Sequence, residues 1–294
     1  MNTKFFAIAL MTAACGSAFA QAGDTLARSK ASGTIVMGVR ESSAPLSYAL
    51  GGTKYVGYHV QLCERVLANL LPASTIRYIP VTSQNRIPLL QNGTIDIECG
   101  STTNNAARKD QVAFAVTTYV TEARLAVATA SGITSAEQLQ GKTVVTTTGT
   151  TLVQRLRKLD RQGIKFNLVY GKDHAESFLL LEGGRADAFA MDDSTLAGNI
   201  ATAKNPKDFR IVGEPLGVEP ISIMLRKDDP AFKAAVDGEI KKLMASGELE
   251  KMYARWFLQP IAPTGSVIGI PMATSLKAAF KRPNDDPAEA YDNK

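Results

Sequence analysis

The chain has 294 residues, 33 Lys and Arg against 28 Asp and Glu, a formal net charge of +5, and 45% hydrophobic residues. Those values describe a folded chain of one large domain or two lobes, and exclude a disordered or fibrous one. The positive charge is spread without a long basic block, which excludes a nucleic-acid-binding signature while suiting small anionic molecules.

The first twenty residues carry Lys4, an apolar run from Phe5 to Ala14, and the small-x-small site Ala18-Phe19-Ala20. This pattern predicts a secretory leader cleaved after Ala20 and a periplasmic mature protein. The run is too short to span a bilayer. A lipoprotein reading at Cys15 meets Thr12 where a lipidation signal prefers Leu.

Next comes an apolar segment, Thr34 to Val39, that reads as a buried strand. Tyr58 to Leu71 predicts a helix with Val60, Cys63, Leu67 and Leu70 on one face. Ile76 to Val81 is a second strand, Ser83 is placed to cap a helix running to Gln91, and Ile95 to Gly100 is a third strand. This βαβαβ order predicts a parallel or mixed sheet covered by helices.

Two β-rich runs, Gln111 to Ala128 and Arg210 to Leu225, read as hinge strands. Between them a second α/β series runs through strand Thr143 to Thr147, a helix from Thr150 with Leu152, Leu156 and Leu159, and strand Phe166 to Tyr170. A helix from His174 to Glu182 follows, opened by Asp173 and Glu176 as a capping box and closed by Gly183-Gly184, and then strand Ala186 to Met191. The expected organisation is therefore a first lobe over residues 21–118 and 216–260, a second lobe inserted at 119–215, and a C-terminal extension over 261–294.

Pro230 stands at a first helical position, with Phe232, Val236, Ile240 and Leu243 on one face and Gly247 beyond the end. A further helix to Phe257 carries Leu249, Met252, Tyr253 and Trp256, a stripe read as core packing. From Lys281 the polar tail is expected to fray or to wrap the surface. Cys63 and Cys99 remain after the leader: an oxidising compartment permits a disulfide, and two buried free thiols serve equally well. His59 and His174 are far apart in sequence, so neither a metal nor a cofactor is expected.

In open α/β sheets ligands lie outside the carboxyl ends of the strands, where helix N-termini present free N–H groups. The residues following five predicted strands are Arg40; Ser83 and Arg86; Ser101, Thr102, Thr103 and Arg108; Gly149, Thr150 and Thr151; and Asp192-Asp193. Taken singly, Ser83, Thr150 and Thr151 suit N-caps, a lone Arg suits a solvated surface, and His174 suits a helix start. Taken together, three of the five ends that the fold rule selects before residue types are known supply an Arg.

The segments RESSAPLSY, VTSQNRIPLLQNGTIDIECGSTTNN, GTT, KDHAESF, AFAMDD and LRKDDPAFK resemble the periplasmic glutamate/aspartate-binding proteins of ABC transporters, over about Gly33 to Pro260. The resemblance implies the type II periplasmic binding fold, two α/β lobes joined by two hinge strands with the ligand cleft between them. It implies that Arg108, Thr103 and Thr150 hold the ligand α-carboxylate. Asp192 with Ser101 and Thr103 takes the ammonium, and Arg40, Ser83, Arg86 and His174 take the side-chain carboxylate. Implied partners are L-glutamate or L-aspartate and an inner-membrane ABC permease, for a monomer that is not an enzyme. Cys63 and the tail lie outside the matching pattern, so a Cys63 to Cys99 disulfide gets no support from it.

Two rivals share the fold class. A periplasmic dehydratase acting on a prephenate-like carboxylate would need a positioned acid or base, for which Asp192 and Glu41 are the nearby carboxylates. A ligand-sensing module would use the same cleft.

Overall fold

A computed structural model describes residues 24–291. The leader, its expected cleavage after Ala20, and Cys15 lie outside the described residues. The architecture is mixed α/β, with two five-stranded sheets and a small three-stranded one. In the first sheet, Thr75–Pro80, Thr34–Val39 and Ile97–Glu98 run parallel, and Met224–Leu225 and Ala113–Phe114 complete it antiparallel. In the second, Asn167–Gly171, Thr143–Thr147 and Ala188–Asp192 run parallel, followed by Tyr119–Ala128 and Phe209–Ile221 antiparallel. The third sheet is a meander of Ser42–Ser43, Ser47–Ala49 and Tyr55–Val56.

Each large sheet has its own core, as two lobes require. Ile35, Met37 and Val39 from the first strand pack with Tyr58, Leu62 and Val66 of helix Tyr58–Leu70 and with Phe232, Val236 and Ile240 of helix Pro230–Ala245. Val144, Val145, Phe189 and Leu125 pack with Leu152 and Leu156 of helix Leu152–Arg161. Among the described residues no helix is long and apolar enough to cross a membrane.

The chain leaves the first sheet after Phe114, joins the second at Tyr119, and returns from Ile221 to Met224. The two long strands pair from Tyr119↔Ile221 to Ala123↔Gly217, slip between Val212 and Gly217, and resume to Ala128↔Phe209. Arg155 braces that slip: Nε donates to Glu219 Oε1 at 2.7 Å, Nη1 to Leu216 O at 3.0 Å, and Nη2 to Val218 O at 3.2 Å. Gly217 lies directly beneath this guanidinium, and a Cβ there would collide with it.

Three local readings change. Cys63 and Cys99 are joined in a disulfide with Cα atoms 6.4 Å apart, which ties helix Tyr58–Leu70 to the end of strand Ile97–Glu98 and displaces the free-thiol alternative. Ser83 caps no helix. The turn before helix Arg86–Gln91 is closed by Thr82 N–H donating to Asn85 Oδ1 at 2.8 Å and Asn85 N–H donating to Thr82 Oγ1 at 3.2 Å. The capping box of helix His174–Glu182 is shifted by one residue: Asp173 accepts from Glu176 N–H, while Glu176 accepts from Lys172 N–H. Between the two expectations for the tail, it wraps. Helix Thr274–Lys281 buries Leu276 and Phe280, and the chain continues in contact with the first lobe.

Candidate functional site

The nine side chains singled out by sequence are all buried: Arg40, Ser83, Arg86, Ser101, Thr103, Arg108, Thr150, His174 and Asp192. The three arginines are decisive, since a solvated guanidinium would argue against a site; they are 1%, 2% and 8% exposed in chain order. Arg40 directly follows strand Thr34–Val39, Arg86 opens the helix after strand Thr75–Pro80, and Arg108 lies in the one-turn helix Ala106–Lys109 beyond strand Ile97–Glu98. All three therefore sit at carboxyl ends of the parallel strands of the first sheet.

Two of them reach the second lobe. Arg108 Nη2 donates to Gly149 O at 3.1 Å while its Nη1 donates to Thr103 O at 2.9 Å. Arg40 Nη2 lies 3.4 Å from His174 Nε2, and Arg40 Nη1 donates to Ser101 Oγ at 3.3 Å. Ser101 Oγ in turn donates to Ser43 Oγ at 3.1 Å. Thr150 Oγ1 donates to Thr147 O at 2.7 Å, which turns its hydroxyl back on its own loop. Backbones also meet across the gap. Gly149, at φ +80°, lies so close to Gln84 that a Cβ would stand 2.8 Å from its Cα, and Gly198 abuts the Ala44 carbonyl in the same way.

Crowding cations out of water disfavours their charged forms. Burial, with repulsion from Arg86, lowers Arg40 and Arg108 each to about 9. Arg86 is lowered too, by burial, against attraction from Glu98 and Asp192. The opposite holds for Asp192, whose carboxyl burial, Glu219 and Asp193 push well above the usual carboxylate range, opposed by Arg86 and Arg108. Within the protein, Ser83 Oγ, Arg86 Nε and Nη1, and Asp192 Oδ1 make no hydrogen bond. Buried polar groups normally find partners, so this cluster leaves a hydroxyl, two guanidinium nitrogens and a carboxylate oxygen free for other bonds.

Two acids belong to this cluster that the strand-end rule did not select. Glu98 is fully buried, accepts from Thr102 Oγ1 at 2.6 Å, and attracts all three arginines. Its Oε1 and the Arg40 side chain both press on the Cα of Gly100, which leaves no room for a Cβ. Glu219, on the returning long strand, is fully buried and bound to Arg155. The available signal was an acidic residue within a predicted strand, Glu98 in IDIECG. Glu41, a carboxylate considered for acid-base chemistry, is exposed.

Chemically the site offers donors in excess of acceptors. Guanidinium groups make bidentate, charge-assisted bonds to carboxylates and cannot act as proton carriers near neutrality. Such an arrangement suits an anion.

Residues 35–259 match the family described as bacterial extracellular solute-binding proteins, family 3. The chain is 43% identical over 291 residues, 96% of each sequence, to the glutamate/aspartate import solute-binding protein of Escherichia coli (strain K12). It is 45% identical over 274 residues, 90% of each, to the L-glutamate/L-aspartate-binding protein of Pseudomonas aeruginosa. Among solved structures, an ancestral arginine-binding protein bound to arginine superimposes with a TM-score of 0.71 at 26% identity, covering 76% of this chain and 98% of that one.

Proposed function

The chain belongs to the bacterial extracellular solute-binding proteins of family 3, and on that premise we propose that it captures glutamate or aspartate between its lobes and hands it to an ABC permease. One observation carries the choice of ligand: three guanidinium groups from separate strand ends are buried close enough to repel one another, two of them touching the second lobe, and Arg86 leaves two of its nitrogens without a protein partner. The names of the E. coli and P. aeruginosa relatives support the same class of ligand.

In this reading Arg108, Thr103 and Thr150 anchor the α-carboxylate, Thr150 after its hydroxyl turns from Thr147 O to the ligand. Asp192 with Ser101 and Thr103 receives the ammonium, whose charge would relieve the burial that raises the Asp192 carboxyl. Arg40, Ser83 and Arg86 take the distal carboxylate, and His174 holds Arg40 in place for it. Charge balance supports a dicarboxylate. Burial and repulsion from Arg86 lower Arg40 and Arg108 in spite of the acids around them, and a second carboxylate beside these guanidinium groups would relieve both. A neutral amino acid would leave a guanidinium desolvated and unpaired, a cost of roughly 3 to 5 kcal/mol.

Contacts from both lobes favour the closed state, and closure is what a permease can read. The protein acts in the periplasm as a monomer, after removal of the leader at Ala20. Calorimetry on the purified protein with the twenty amino acids tests the ligand. Heat is expected from glutamate or aspartate; tight binding of a neutral or basic amino acid, with no heat from either acid, would overturn the proposal.

A further inference from the structure

The end of the chain is bonded to the segment that carries Thr103 and Arg108. Ala288 N–H donates to Asn104 O at 2.9 Å. Asn104 Nδ2 donates to Asp285 O at 2.9 Å and to Asp286 O at 3.4 Å. Glu289 Oε2 accepts from Ala106 N–H at 3.1 Å, at the start of the helical turn Ala106–Lys109. Lys109 Nζ donates to Asp285 O at 2.7 Å and lies 3.2 Å from the Asp285 carboxylate, which is also 3.6 Å from Lys233 Nζ. The tail also reaches the first crossover, where Thr117 N–H donates to Asn284 O at 2.8 Å.

A four-residue helical turn has no stability of its own, because nucleation fixes several residues for one hydrogen bond. Its position must come from neighbours. On one side the segment is held by the second crossover, through Asn104 N–H to Pro220 O at 2.8 Å and Ser222 N–H to Thr102 O at 3.2 Å. On the other side stands the tail. Asn104 is fully buried between them.

We propose that residues 284–291 are a positioning element for the carboxylate anchor, clamping Asn104–Lys109 so that Arg108 and the Thr103 backbone stay aimed at the gap between the lobes. The inference rests on the reading that Arg108 binds the ligand α-carboxylate. An anchor must be held within about half an ångström to be effective, and a segment bonded on one side only cannot supply that.

The test compares the full chain with a chain ending at Arg282 and with Glu289→Ala and Glu289→Gln. Calorimetric Kd values for glutamate and aspartate are measured alongside thermal midpoints. Both Kd values should rise about tenfold on truncation with their ratio unchanged, since the two ligands share the α-carboxylate. Glu289→Ala should weaken both ligands, and Glu289→Gln, which keeps an acceptor for Ala106 N–H, should restore them. A truncated chain with a lowered midpoint but unaltered Kd would reduce the tail to a general brace and overturn the proposal. If truncation prevents folding, an unaltered Kd in Glu289→Ala overturns it instead. Failure of the full chain to bind either acid would count against the reading of the site, not against the role of the tail.

Discussion

Arg40 of the first lobe and His174 of the second meet with Nη2 3.4 Å from Nε2, and this contact fixes the state of the imidazole. A guanidinium only donates, so Nε2 accepts and Nδ1 carries the hydrogen. Nδ1–H then donates to Thr147 Oγ1 at 2.9 Å, Thr147 to Ser177 Oγ at 2.8 Å, and Ser177 to Asp173 O at 2.9 Å. Burial, then Arg40 and Arg86, push the His174 pKa well below its ordinary value, which keeps the ring neutral. With Nε2 accepting from Arg40, His174 acts on the distal carboxylate by holding that guanidinium, so His174→Ala should weaken glutamate and aspartate binding by about 0.5 to 1.5 kcal/mol. A Kd unchanged in calorimetry would show that this contact is incidental.

The two ends of the proposed ligand separate by mutation. Arg108→Ala should abolish binding of every amino acid. Arg86→Ala should remove the preference for glutamate over glutamine, a loss of roughly 3 kcal/mol or more in that difference. Competition binding with the two ligands reads both results, and a preserved preference in Arg86→Ala would place the distal carboxylate elsewhere.

Closure can be tested without altering any ligand-facing side chain. Gly198 lies in helix Asp193–Ala201 with an ordinary helical backbone, where Ala favours the helix by up to about 1 kcal/mol. Across the gap, however, an added Cβ would collide with the Ala44 carbonyl. Gly198→Ala should therefore keep or raise the thermal midpoint of the free protein while lowering ligand affinity by tenfold or more. Lowered stability with intact affinity would contradict the closure contact.

The disulfide closes a loop spanning a sequence separation of 36, for which chain entropy assigns about 3 to 4 kcal/mol. Urea unfolding of the oxidised protein and of Cys63→Ser/Cys99→Ser should differ by that amount. Coincident unfolding curves would show that the cross-link contributes nothing to stability.

Acid should destabilise the first lobe through His59. Its ring is fully buried, donating from Nδ1 to Gly100 O at 2.6 Å and accepting at Nε2 from Thr118 Oγ1 at 2.9 Å, and burial lowers its pKa to about 4. For a base lowered on folding, the stabilisation is complete above the unfolded value near 6.5 and is lost as pH falls toward 4, about 3 kcal/mol in all. His174, also lowered, adds to the same trend, so the measurement compares the parent with His59→Gln. The variant should show a flatter stability profile between pH 6.5 and 4, and an equal slope would refute the assignment.

Much of this was readable from residue order alone, because it is local. The 3.6-residue stripe of Tyr58–Leu70, the Asp173 cap, Pro230 at a helix start and the buried strand Thr34–Val39 each encode their element within a dozen residues. The strand-end rule then selected Arg40, Arg86 and Arg108, since the carboxyl ends of parallel strands share one edge wherever the sheet forms.

What tertiary structure alone decided are the relationships between distant segments. Cys63 meets Cys99 because a helix lies over a strand; Glu98 and Glu219 both come to attract Arg108 although they stand on strands of different sheets; Asp285 meets Lys109 because the tail doubles back 176 residues. Local periodicity carries no information on such pairings. They are set by packing, which brings charges together only after the cores on both sides have formed.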